Sequence, residues 1–221
     1  MIQTGDGLLI RDPSINPPLV RKILQSIGNE KVSSLTLIRT PLSKTTRFLL
    51  NIVSLGQLES KMKELKIDDL FHLSMLINGK YTLEKNEVIR LYKSSSIPKG
   101  SNVLQIPITH EFTINEMLEN TRKSMGSNYG SYNAKTNNCS IFLSNVLNSN
   151  QLLTNNAETF LQQNTIDLFN SFPKYTEKIT NLATTTASAI NRQLEGEGQV
   201  NYDTLSMYNN QYPKCKVVFT Y

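Results

Sequence analysis

The chain has 221 residues, 38% hydrophobic and 19% charged, with a net charge of +5. This suffices for one domain of ordinary size with extensions, or two very small ones. Lys and Arg are scattered rather than clustered, so specific nucleic-acid binding is not expected, and the longest apolar stretch, Phe48 to Leu55, is too short and too interrupted to cross a bilayer.

Met1 to Gly7 lacks the basic start and apolar centre of a secretory signal, and an intracellular setting is expected. Residues 1–30 read as an irregular lead-in with a short helix from Leu19 to Ile27. Val32 to Ile38 reads as a strand. Thr40-Pro41 then reads as a helix start, Thr as N-cap and Pro at the first helical position. The helix it opens carries Leu42, Leu49 and Val53 on one side, widened by Phe48, Ile52 and Leu55. That surface suits core packing or contact with a membrane lipid surface. A second amphipathic helix follows at Leu58, Met62 and Leu65. Leu70 to Ile77 is the best strand in the chain, Asn78-Gly79 is a hairpin turn, and Lys80 to Glu84 returns. Further strands are expected at Val88 to Tyr92 and Val103 to Ile108. Thr113 and Glu116 form a capping box for a helix reaching about Met125. Gly126 to Asn138 is a loop, and a helix starts at or beside Cys139. Beyond Pro173, Lys174 to Leu194 permits a weakly amphipathic helix, and Val217 to Phe219 a late strand.

The chain has only two cysteines, Cys139 and Cys215, and two histidines, His72 and His110. No disulfide framework follows, and a four-ligand zinc site finds too few ligands. No metal or cofactor is expected. Any Cys–His pair must be one of four combinations.

Cys139 stands on the first turn of a helix capped from Thr136, Asn137 and Asn138. Unpaired N–H groups and the helix dipole there stabilise a thiolate and receive an oxyanion. Asn137 and Asn138 are therefore placed in the oxyanion loop. The preceding loop, with Tyr129 and Tyr132, leaves room for a substrate. The competing reading is a structural cysteine on an amphipathic helix. In the strand, Phe71, Leu73, Met75 and Ile77 share a wholly apolar face, so His72 stands on the other one. His110 precedes a capping box and reads as a helix-entry residue. Glu84 is the candidate to orient His72, with Asn86 and Glu87 as fallbacks. A two-residue turn pairs His72 with Lys85 and sends Glu84 to the other face. A three-residue loop with Gly79 as a left-handed bulge pairs His72 with Glu84 and Ser74 with Thr82, and this register is preferred.

The order His72, a polar residue, then Asn137-Asn138-Cys139 resembles the circularly permuted papain-like fold of the NlpC-type superfamily, in particular its lecithin–retinol acyltransferase-like branch. Arg39-Thr40-Pro41-Leu42, Phe71-His72-Leu73 and Leu83 to Val88 also resemble uncharacterised proteins of DNA viruses. The similarity spans about Val32 to Asn150. It implies an α+β fold: a small antiparallel sheet with the nucleophile helix packed on it, and helical N- and C-terminal extensions. The domain would span 31–170, between the lead-in at 1–30 and a tail at 171–221. The implied chemistry is acyl transfer by Cys139, His72 and Glu84, on lipid acyl esters and in membrane penetration by a virus, with a virion-associated location. A cysteine peptidase of the same fold and a non-catalytic virion protein are the alternatives. Ser140-Ile141-Phe142 depart from the acidic and aromatic or His residues that usually follow this cysteine, and Glu84 replaces the branch's second histidine.

Overall fold

Alternation of apolar and polar residues at a period of two builds the centre of this molecule. The computed structural model describes residues 15–162 and 168, except 43, 45–46, 48–49, 52–53, 55, 68, 87 and 134. Five strands form one antiparallel sheet in the order β4-β3-β2-β1-β5. They are β1 Leu35–Pro41, β2 Phe71–Ile77, β3 Tyr81–Lys85, β4 Ile89–Lys93 and β5 Asn102–Ile106. Five helices are described end to end: α1 Pro18–Ile27, α2 Leu58–Glu64, α3 Ile114–Met125, α4 Cys139–Ser149 and α5 Asn155–Leu161. The class is α+β. The expected segments 174–194 and 217–219 lie outside the described residues.

One face of the sheet presents Leu35, Leu37, Leu73, Met75, Ile77, Leu83, Ile89, Leu91 and Ile106, all buried. Val20 and Ile27 of α1, Met117 and Leu118 of α3, Phe142 and Val146 of α4, and Ala157 and Leu161 of α5 complete this core. Each such side chain contributes about 1.5–3 kcal/mol when taken out of water, which makes this layer the main source of stability. Helix α4 lies on β2 and β3, and α5 on α4 and β5. The opposite face is mixed, with Thr36, Ser74, Thr82 and Glu84 buried beside Ile38 and Leu76. A smaller cluster joins Leu50, Leu58, Met62, Leu70 and Leu168. Arg47, helical like Lys44, Leu50 and Asn51, pairs with Asp69 and Glu59 beside it. Among the described residues no helix is long and apolar enough to cross a membrane.

Thr40-Pro41 does not open a helix. Both residues belong to β1, paired with His72 and Phe71. Proline is tolerated because β5 pairs with β1 only up to Arg39, so beyond it the strand has a single neighbour and no ladder donor is missed. The helix starts at α3 and α4 are set locally. Thr113 and Glu116 form the reciprocal capping box, and Asn138 Oδ1 accepts from the Ile141 N–H.

The β2–β3 hairpin departs from both registers considered above. Asn78 and Gly79 have φ of 54° and 64°, and the Lys80 N–H donates to the Ile77 carbonyl, a two-residue turn. The ladder nevertheless resumes with Ile77 opposite Tyr81, leaving Lys80 as an added residue. Ser74 therefore pairs with Glu84 and Leu76 with Thr82, two positions from the expected register. A shift of two preserves parity, so Glu84 stays on the face of His72. Asn78 is held from outside: its Oδ1 accepts from the Ser33 and Ser34 N–H groups and its amide donates to the Lys31 carbonyl.

Candidate active site

The site forms where the β2–β3 ladder stops. The last β3 partner of β2 is Glu84, opposite Ser74, so Phe71, His72 and Leu73 pair only with β1. The N-terminus of α4 enters this opening. The Leu73 and Ser140 N–H groups both hydrogen-bond the Cys139 sulfur. The thiol thus takes an acceptor position at the end of the sheet, which lets a helix on the apolar face meet a histidine on the mixed face.

His72 stands between two partners. Its Nε2 lies 3.0 Å from Glu84 Oε2, and the ring also hydrogen-bonds the Cys139 thiol, leaving Nδ1 for the sulfur. Glu84 is itself anchored: Oε1 accepts from Arg90 Nη1 at 2.7 Å and from the Asn86 amide at 3.4 Å. Arg90 faces Glu84 across the β3–β4 ladder, so the sheet register alone supplies this anchor. The carboxylate side chain is only 9% exposed, whereas His72 keeps 29% of its side-chain surface. A substrate can reach the ring but not its orienting group.

Electrostatics favour an ion pair. Burial opposes a charge on His72, but hydrogen bonds and charge interactions with Cys139 and Glu84 outweigh it and raise the ring to about 10. Burial likewise opposes the Cys139 thiolate, and the His72 hydrogen bond and charge, with the Leu73 and Ser140 N–H groups, overcome it and lower the thiol below its ordinary value. Both shifts favour the thiolate–imidazolium form of the pair over the neutral one. At the helix start, the Ile141 N–H goes to Asn138 Oδ1 and the Phe142 N–H to the Asn138 carbonyl. The Cys139 N–H stands ahead of the helix's own ladder.

A buried lysine also lies near the nucleophile. Lys85 is fully buried, its Nζ 3.0 Å from the Asn128 carbonyl and 3.1 Å from Asn137 Oδ1. Burial lowers it to about 7, against the opposing pull of the Cys139 charge. The sequence reading missed this residue, although parity reveals it: Lys85 follows Tyr81 and Leu83 on the apolar face.

The expected site residues divide clearly. Cys139, His72 and Glu84 come together. The Asn137 amide donates to the Asn128 and Ser131 carbonyls and to Ser131 Oγ, so it clasps the loop. Asn138 caps α4. Tyr129 is not in a substrate loop: its ring is fully buried against Phe142 and its hydroxyl donates to Asn16 Oδ1 at 2.6 Å. A large aromatic beside a core helix buries more apolar surface inward than outward. Tyr132 is part-buried. His110 is exposed, with Nδ1 3.2 Å from the Thr109 hydroxyl. Glu87 and Cys215 lie outside the described residues. Among the described residues no group of three or more His, Cys, Asp or Glu is disposed to hold a metal ion. No family model, curated protein or solved structure matches the chain.

Proposed function

We propose that this chain is a cysteine-dependent acyl hydrolase or acyltransferase with a permuted papain-like arrangement of its catalytic groups. The observation that carries the reading is the Cys139–His72–Glu84 array, with the thiol at a helix start and the imidazole bridging thiol and carboxylate. Cys139 attacks an ester or amide carbonyl as the thiolate. The Cys139 N–H at the helix start supplies part of the oxyanion hole. His72 gives its proton to the leaving group, then takes one from the water or alcohol that releases the acyl group. Glu84, held by Arg90, keeps the ring oriented and stabilises its charge.

The lipid assignment, and with it a part in membrane penetration by a virus, follows from the resemblance to the acyltransferase branch. The test incubates the purified chain with phospholipid vesicles, a small aryl ester and a peptide library. Fatty-acid release together with an acyl group trapped on Cys139 supports the lipid reading. Peptide cleavage without fatty-acid release assigns the same site to a peptidase. No Cys139 adduct with any of the three substrates leaves the fold as a non-catalytic scaffold.

A further inference from the structure

Arg39 sits on β1 opposite Leu73, the residue whose N–H bonds the Cys139 sulfur. Its guanidinium lies 4.0 Å from the centroid of the Phe71 ring, on the same face and at the same end of β2. Phe71, with His72 and Leu73, borders the opening that α4 enters. Unlike Arg90, Arg47 and Arg122, Arg39 makes no ion pair among the described residues. Arg90 is committed to Glu84, Arg47 to Asp69 and Glu59, and Arg122 to Glu119. Its Nε is buried and has no hydrogen-bond partner. A buried donor on a charged group is costly to leave unmade, and a planar guanidinium braced on an aromatic ring is shaped to grip a carboxylate or phosphate.

From this placement we infer that Arg39 binds an anionic oxygen group of the substrate, a carboxylate or phosphate set a few bonds from the scissile carbonyl. The inference rests on the acyl-transfer reading of Cys139 and adds to it the charge of the substrate. Arg39 and Cys139 flank β2 on opposite sides, so sulfur and Arg39 Cα are about 10 Å apart, two interstrand spacings. The long arginine side chain covers much of that span. The proposed ligand rests its carbonyl on the sulfur and its anion on the guanidinium. Part-exposure of Arg39 leaves the way open.

Alkylation of Cys139 by iodoacetate and by iodoacetamide, followed by peptide mass spectrometry, separates anion binding from thiol reactivity. The two reagents differ in charge and share a mechanism. In Arg39→Gln the iodoacetate rate should fall about tenfold, the worth of one hydrogen bond to a charged group, while the iodoacetamide rate holds. Equal rate changes for both reagents, or none, overturn the inference. In the unaltered protein, glutarate or inorganic phosphate should protect Cys139 from iodoacetamide where neutral glutaramide does not. Which of the two protects identifies carboxylate or phosphate as the bound group, and protection by neither overturns the inference even if Arg39→Gln fails to fold. A Cys139 no faster than an unfolded thiol toward iodoacetamide instead sinks the acyl-transfer reading itself.

Discussion

Glu84 is the residue on which the site turns, because it meets His72 with one oxygen and Arg90 with the other. Replacing it by glutamine keeps the volume but removes the charge that favours the imidazolium. Acyl transfer in Glu84→Gln should fall about a hundredfold in kcat, as for loss of a positioned acid–base system. The same variant should show a His72 ring that titrates below about 10, measurable by NMR, since one of the groups holding it up is gone. Glu84→Ala should also lower stability by roughly 2 kcal/mol in denaturant unfolding; full burial would make it more, but both cations it leaves reach solvent. His110→Ala should leave Cys139 reactivity unchanged, because that ring is exposed and meets Thr109 and Phe112 rather than the site residues. At this scale the sequence showed the pair through scarcity and parity. It did not show Arg90, whose role depends on which β4 residue faces Glu84.

The β2–β3 hairpin converts local turn chemistry into the geometry of the site. Parity was legible: alternating residues put His72 and Glu84 on one face, and the sheet keeps them there. Register was not, because the turn closes on Asn78-Gly79 while the ladder counts from Tyr81, and nothing local marks Lys80 as the added residue. The consequence is a diagonal His72–Glu84 contact in place of a direct cross-strand pair. Gly79 at φ 64° sits where a β-branched residue is strained, so Gly79→Val should lower unfolding free energy by about 1–2 kcal/mol. Asn78→Ala removes the acceptor of the Ser33 and Ser34 N–H groups and should cost about 2 kcal/mol by the same measurement. Thr40-Pro41 misled for a related reason. The dipeptide is a sound helix signal, but β1 runs past its β5 neighbour there, and a strand end with one partner accepts proline.

At the scale of the whole fold, three linked groups of the described site bear on how stability follows pH near and above neutrality. The folded chain keeps a proton on His72 up to about pH 10 and gives up the Cys139 proton below the thiol's ordinary value, whereas the unfolded chain titrates these groups at their ordinary values of 6.5 and 9.0. His72, raised, contributes stability that is lost as pH climbs toward about 10; Cys139, lowered, contributes stability gained as pH climbs toward 9.0. Between those two ordinary values the two effects oppose each other. Lys85 adds a positive slope above about pH 7, since it is lowered from 10.5 to about 7 and the unfolded state binds the extra proton. Stability should rise with pH by up to about 1.4 kcal/mol per unit, and Lys85→Met should remove that rise in denaturant titrations. The central claim, a thiolate–imidazolium pair at Cys139 and His72, is tested most directly by the pH dependence of Cys139 alkylation by iodoacetamide. The account predicts a rate that rises below the thiol's ordinary value of 9.0 in the unaltered protein, and a rise shifted up toward that value in His72→Ala. An ordinary thiol titration in both proteins would contradict it.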